Sequence, residues 1–313
     1  MPVLSQLSSL PEATEITIGA GDVHKELDTL ASVWQILSEK GATRHSLLIN
    51  LGGGMITDLG GFAAATFKRG IPYINIPTTL LAMVDASMGG KTGINFNGLK
   101  NEVGVFCPAS SVLIDTNFLR TLDRENFVSG YVEMLKHGLI SEPAHWEELL
   151  AFDLEQVDYE RLKTLVGKSV MIKEDIVRQD PYERGIRKAL NLGHTIGHAF
   201  ESLALEESRP VLHGYAVAWG MICELYLSVV KAGFPQEKMR RTNQFIRENY
   251  DSFLFDCKQY DRLYELMLHD KKNTAGIINF TLLNDIGEIA INQTADKELI
   301  FETLDFYREC MGM

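Results

Sequence analysis

Three histidines and a glutamate are the residues whose types and spacing most directly suggest chemistry in this sequence. His194 and His198, within Asn191-Leu192-Gly193-His194-Thr195-Ile196-Gly197-His198, are four residues apart and would share one face of a helix. His213 follows in Leu212-His213-Gly214, ahead of a further helical pattern. Glu133 is a carboxylate in the otherwise apolar helical run Gly130-Tyr131-Val132-Glu133-Met134-Leu135-Lys136-His137. Two imidazoles and a carboxylate make a three-ligand zinc site with an open fourth position, the catalytic type. The H-E-x-x-H pattern is absent, because Thr195 stands where its glutamate would be. Spacing alone leaves open which histidines bind, and a single helical histidine or glutamate is more often structural or solvated.

Two glycine-rich segments offer a second kind of chemistry. Gly52-Gly53-Gly54 stands between an apolar run and a helical stretch, an arrangement that aims backbone N–H groups and a helix dipole at a phosphate. It is not the G-x-G-x-x-G dinucleotide pattern, since position 57 is Thr57, and a tight turn joining a strand to a helix would look the same. The segment Ser87-Met88-Gly89-Gly90-Lys91-Thr92-Gly93 has most of a nucleoside-triphosphatase loop, but Asp85 replaces its first glycine. A carboxylate there would repel the phosphates, which excludes that reading. What remains is a flexible loop presenting Lys91 beside an acid, with Lys100 and Asn101 soon after.

The elements that must position these residues change character along the chain. Glu15–Ile18 is a short β-rich run, and His24–Lys40 has helical spacing of Leu27, Leu30, Val33, Trp34 and Leu37. Ser46–Leu51, Tyr73–Ile76 and Ser111–Ile114 read as strands buried on both faces, with a helical stretch Met55–Lys68 between the first two. Alternating strands and helices imply a parallel sheet with ligands bound at the strand ends. After about Leu122 helical patterns dominate: Glu125–Gly138, Tyr159–Arg178, Ala189–Leu203, Tyr215–Lys231 and Gln236–Asn249. A β pair returns at Ile277–Leu283 and Glu288–Ile291. The expected fold is an α/β Rossmann-like domain with a parallel sheet over residues 1–122, then a mainly α-helical domain over 123–313.

Composition narrows the function classes. At 313 residues, two domains are the default expectation. A formal charge of −12 argues against non-specific binding to nucleic acid or anionic membranes. Any anionic substrate must therefore meet a pocket that gathers lysines and arginines against the global sign. The four cysteines, Cys107, Cys223, Cys257 and Cys310, form no C-x-x-C pair, which removes a thiolate zinc site and suits a reducing cytoplasm. Met1–Leu10 lacks the basic start and apolar run of a signal peptide, and no stretch reaches the roughly 20 apolar residues of a membrane span.

Taken in order, seven motifs resemble the 3-dehydroquinate synthase family of sugar-phosphate cyclases. They are GGGMITDLGGFAAATFKRG, IPTTLLAMVDASMGGKTGIN, GLKNEVG, GYVEMLKHG, NLGHTIGHAFE, LHGYAVAWGM and DKK, and they span most of the chain from about Asp22. The resemblance implies that Glu133, His194 and His213 are the zinc ligands and that His198 is an active-site polar group. It implies NAD contacts from Gly53, Gly54, Asp58, Thr78 and Thr79, from Asp22 and Lys25, and from Lys91 and Lys100. Asp22 stands where the family usually carries glutamate. Catalytic roles are implied for Lys91, Lys136, His198, Asp85, Asn191 and Glu183. Arg69, Lys100, Asn101, Lys173 and Arg187 would bind substrate, with one of Lys271 and Lys272.

The implied substrate is a seven-carbon keto-acid sugar phosphate, 3-deoxy-D-arabino-heptulosonate 7-phosphate, and the product is 3-dehydroquinate in the shikimate route to aromatic amino acids. The family reaction oxidises a secondary alcohol with NAD, eliminates phosphate, returns the hydride, opens the ring and closes a carbocycle. Zinc suits the first step, and cobalt is chemically able to replace it. The family usually has another strand–helix unit before the segment matching Pro2–Leu10. A chain lacking it is expected to bind NAD more weakly than an extended form and to expose a sheet edge. A homodimer is the family expectation. The rival readings are a cyclase that makes an inosose or valiolone, a metal-dependent alcohol dehydrogenase of the glycerol dehydrogenase type, and a non-catalytic remnant.

Overall fold

The computed structural model describes residues 13–97, 99–268 and 277–313. The chain forms two units: one extends to Ile76 and resumes over Gly90–Leu113, and the other comprises Pro77–Gly89 and Ile114–Met313.

The elements of the first unit are α1 (Leu27–Glu39), β1 (Leu48–Gly52), α2 (Gly54–Thr66), β2 (Tyr73–Pro77), β3 (Lys91–Phe96), β4 (Leu99–Phe106) and β5 (Ser111–Val112). The sheet order is β1-β2-β5, and β2 runs parallel to β5 with Ile74 opposite Ser111. Buried Asn50 on β1 donates to Asn75 on β2 at 2.9 Å, so the polar groups between these apolar strands satisfy each other. Residues 15–18 form no strand. Ile16 and Ile18 instead pack on the cluster of Leu30, Val33, Leu59, Phe62, Ala63 and Ile94, which uses their apolar alternation without backbone pairing. The flexible loop expected over residues 87–93 remains a turn only to Gly90, and from Lys91 the chain is an antiparallel hairpin, with Lys91 opposite Phe106 and Ile94 opposite Val103. Its sequence signal is Asn97-Gly98, the dipeptide of tight hairpin turns, and Asn97 takes φ 50°.

The second unit contains α3 (Arg124–Ser141), α4 (Pro143–Leu150), α5 (Tyr159–Gln179), α6 (His194–Glu206), α7 (His213–Ala232), α8 (Gln236–Asn249), α9 (Tyr260–Leu268), the antiparallel pair β6 (Phe280–Asp285) and β7 (Glu288–Gln293), and α10 (Lys297–Cys310). Side chains of Asp123, Asp158 and Asp296 cap α3, α5 and α10 by accepting from N–H groups of their first turns. On α3 every residue from Phe127 to Ile140 is buried, so this helix runs through the core and has no polar face. Its Glu133, Lys136 and His137 are thus removed from water by position alone. Helix α7 is long and apolar enough to cross a membrane by length and composition, but here it is a core helix with Ala216–Leu225 buried. The helix expected from Ala189 begins at His194, because Gly193 takes a left-handed φ of 80° and Ile186–Asn191 forms a separate 3-10 turn.

Candidate active site and metal centre

Glu133 comes from α3, while His194 and His213 are the first residues of α6 and α7. The Glu133 Oε1 atom lies 3.7 Å from His194 Nε2 and 3.8 Å from His213 Nε2. That oxygen is buried and has no hydrogen-bond partner among the described residues. An unsatisfied buried carboxylate oxygen is costly, and a cation between the three side chains would remove the cost. Two ligands of a tetrahedral zinc, each at about 2.0–2.2 Å, lie about 3.4 Å apart, close to the separations seen here. Each imidazole is held from behind: His194 Nδ1 meets the Leu192 carbonyl at 3.1 Å, and His213 Nδ1 meets Glu201 Oε2 at 3.4 Å. Such contacts on Nδ1 direct Nε2 toward a metal. Burial pushes the His213 pKa down, but the Glu201 and Glu133 carboxylates more than offset this and raise it. His198, Glu201 and His213 form a second group within reach of one ion. Asp85, Glu133 and His137 form a third. The orphaned Glu133 oxygen is the one that faces the imidazoles of His194 and His213.

A chain of alternating charges adjoins this centre. The other Glu133 oxygen, Oε2, accepts from Lys136, which is almost wholly buried. Asp85, on the π-helical turn Ala82–Ala86, accepts from Lys173 on α5, and Lys173 Nζ also reaches the Asp85 carbonyl at 2.6 Å. Burial would raise the Asp85 pKa, but the charges of Lys173 and Lys136 and the Lys173 hydrogen bond outweigh it and hold the carboxyl well below its usual range. Burial draws the Lys173 ammonium down while Asp85 supports it. His137 lies among these groups, and burial together with the Lys136 charge pushes its imidazole well below the usual histidine range.

Arg187 is anchored in the same unit by two backbone carbonyls, Pro181 at 2.5 Å and Gly89 at 2.9 Å. Asn191 donates to Glu183 at 2.7 Å. The Asp180 carboxylate accepts from the N–H groups of Arg184, Gly185 and Arg187, which shapes the turn presenting these side chains. Thr78 and Thr79 follow β2, and Thr79 Oγ1 accepts from Ala82 N at 3.2 Å, at the start of the turn that carries Asp85.

The first unit gathers the other expected residues. Gly53 is the N-cap of α2 and Gly54 its first residue, with no side chain capping that end. Lys25 is buried between the Asp58 carboxylate, 2.5 Å away, and Asn101 Oδ1. Lys100 pairs with Asp22 at 3.4 Å, and Lys91 opens β3 with its side chain exposed. Arg69, Asn101 and Glu183 are three of the seven non-glycine residues with positive φ among the described residues. Left-handed backbone costs an ordinary residue energy, but Lys68, Asn97, Ser208 and Asn292 share it, so it does not by itself mark a site. Lys271 and Lys272 lie outside the described residues.

Sequence reasoning missed three contributors. Glu201 stands seven residues after His194, so His194, His198 and Glu201 share a helical face, and that spacing could have revealed it. His137 follows Lys136 but gives no signal until α3 is known to be buried all round. Asp180 acts through backbone N–H groups and leaves no side-chain pattern.

Comparisons with known proteins agree over nearly the whole chain. A family profile described as 3-dehydroquinate synthase N-terminal matches residues 15–129, and one described as 3-dehydroquinate synthase C-terminal matches residues 130–273. A 3-dehydroquinate synthase of Parabacteroides distasonis is 58% identical over 312 residues, covering 100% of this chain and 88% of that protein. Among solved structures, 2-epi-5-epi-valiolone synthase from Streptomyces hygroscopicus subsp. jinggangensis, with NAD+ and Zn2+ bound, superposes with a TM-score of 0.84 at 27% identity, over 93% of this chain and 82% of that one. A 2-deoxy-scyllo-inosose synthase complexed with carbaglucose-6-phosphate, NAD+ and Co2+ gives 0.80 at 27% identity, over 94% and 82%.

Proposed function

The chain belongs to the 3-dehydroquinate synthase family, and from this premise we propose that Glu133, His194 and His213 hold the divalent cation of its reaction. The reaction converts the seven-carbon heptulosonate phosphate to 3-dehydroquinate and phosphate. Its cofactors are NAD and a divalent metal, zinc or cobalt. The observation that carries the ligand assignment is the buried Glu133 Oε1, unpartnered among the described residues and facing two imidazole Nε2 atoms at 3.7 and 3.8 Å. The cation, when bound, supplies Lewis acidity to a substrate hydroxyl, and NAD supplies a place to store a hydride and return it.

The chain's own residues position, neutralise and exclude water. Lys136, Lys173 and Arg187 are cations buried to 1%, 5% and 2% exposure, a concentration of positive charge that suits a substrate bearing both a carboxylate and a phosphate in a protein of net charge −12. Lys136, held by Glu133, is placed to donate a proton or hydrogen bond next to the metal ligands. The Asp85 carboxylate fixes the Lys173 ammonium, and the Glu183–Asn191 pair presents a polar edge beside Arg187. His198 is assigned to the substrate as a polar group, not to the metal. In the first unit, Gly53, Gly54, Asp58, Asp22 and Lys25 are assigned to NAD, with Thr78 and Thr79 from the second. Lys91 and Lys100 are assigned to NAD and substrate, Arg69 and Asn101 to substrate. We place the functional boundary near residue 122, with NAD binding mainly in 1–122 and metal binding in 123–313.

A cytoplasmic homodimer completes the proposal. The four cysteines are free thiols, as a reducing compartment requires. Every residue of β4 is exposed, and its outer edge has no partner strand among the described residues, which suits pairing with a second copy. The test of function is phosphate release from the heptulosonate phosphate with NAD and zinc present, with the organic product identified. 3-Dehydroquinate supports the proposal, and an inosose, a valiolone or accumulating NADH from a simple alcohol would replace it by one of its rivals.

A further inference from the structure

Helix α6 begins without a cap of its own. Its N-cap is Gly193, which has no side chain to satisfy the first N–H groups. Those groups are met from another helix. Glu224 on α7 is entirely buried, its Oε2 accepts from Gly193 N at 2.6 Å, and its Oε1 accepts from Thr195 N at 2.9 Å and Ile196 N at 3.1 Å. A carboxylate at this place fills three orphan donors and faces the positive end of the helix dipole. His194 lies between the clamped residues. Glu224 also lies eleven residues beyond His213 on the same helix, about three turns along it. One rigid element therefore carries one candidate metal ligand at its first residue and grips the peptide segment that carries another.

The two helices touch backbone to backbone at the same level. A Cβ at Gly220 would lie 2.0 Å from the Gly193 carbonyl oxygen and 2.6 Å from Gly197 N, so only glycine fits. Close contact sets the distance between α6 and α7, and the Glu224 carboxylate sets their register and the entry angle of the chain at His194.

We propose that Glu224 is a positioning residue for the metal centre, holding the His194 end of α6 to the helix that bears His213. The inference rests on the reading of Glu133, His194 and His213 as ligands. Metal-free protein is titrated with zinc against a chromophoric chelator for the parent, Glu224→Ala, Glu224→Gln and His194→Ala, and amide exchange at Thr195 and Ile196 is measured without metal. Glu224→Ala should bind zinc about 10–100-fold more weakly, with faster exchange at both amides. Glu224→Gln keeps the volume and one acceptor oxygen but turns an NH2 toward a donor, and should fall between. Should Glu224→Ala not fold, Glu224→Gln carries the decision. A lowered melting temperature with parental zinc affinity in either folded variant would make Glu224 merely structural and overturn the inference. Zinc retained by His194→Ala would instead overturn the ligand reading itself.

Discussion

The chemistry of this protein concentrates on side chains whose burial would be unfavourable without a partner. Glu133 divides its two oxygens, one to Lys136 and one toward the imidazoles of His194 and His213. Replacing His194 with alanine is expected to remove metal and activity together, measured by zinc content and phosphate release on the same preparation. Arg187 makes a different contribution. Its guanidinium fork reaches two carbonyls at once, a geometry that a lysine ammonium cannot reproduce. Arg187→Lys should raise KM by at least about tenfold while kcat falls less, as steady-state kinetics would record for a lost binding contact. An equal fall in kcat with KM unchanged would assign Arg187 to the chemical step instead.

At the scale of elements, packing decides what the sequence pattern leaves open. The strands Leu48–Gly52 and Tyr73–Pro77 and the helix Gln236–Asn249 were legible because apolar runs and helical periodicity mark them directly. Helix α3 was legible as a helix, but its depth was not, since a helix buried all round has no amphipathic stripe to read. The late start of α6 was hidden because Ala189–Asn191 continue the helical spacing, and only the left-handed Gly193 interrupts it. Seven ordered motifs pointed to Glu133, His194 and His213 as the proposed metal set, whereas Glu201 and Asp180 act on neighbours and required three-dimensional placement. Two predictions follow from the packing. Gly220→Ala forces α6 and α7 apart and should destabilise the fold by about 1–3 kcal/mol in denaturant unfolding, while weakening zinc binding. His145, on α4, is buried with Nε2 3.0 Å from Ser169 Oγ. Burial and the Lys168 charge lower its pKa below 6.5, although Glu148 and Glu142 oppose this. The folded state thus favours neutral imidazole, so its contribution is full above about pH 6.5 and is lost as pH falls toward the lowered value. Thermal midpoints of the metal-free protein should drop from pH 7 to pH 5.5, and less steeply in His145→Gln. An unchanged slope would exclude His145 as a source.

For the molecule as a whole, the acidic surface and the buried cations are two sides of one design. A net charge of −12 discourages polyanions, and the buried cations Lys136, Lys173 and Arg187 are the groups proposed to meet the carboxylate and phosphate of a small substrate. The exposed β4 strand carries Val103 and Val105 at 40% exposure each, and an edge of this kind calls for a partner. Sedimentation should find a dimer for the parent chain and a shift toward monomer for Val105→Glu; an unshifted dimer would move the interface elsewhere. The most direct test of the whole account is phosphate release from the heptulosonate phosphate by metal-stripped protein supplied with NAD, before and after zinc is restored. No release is expected without metal, with recovery on adding zinc to the parent and no recovery in the His194→Ala variant. Release that persists in the stripped protein, or that zinc restores fully to that variant, would contradict the account.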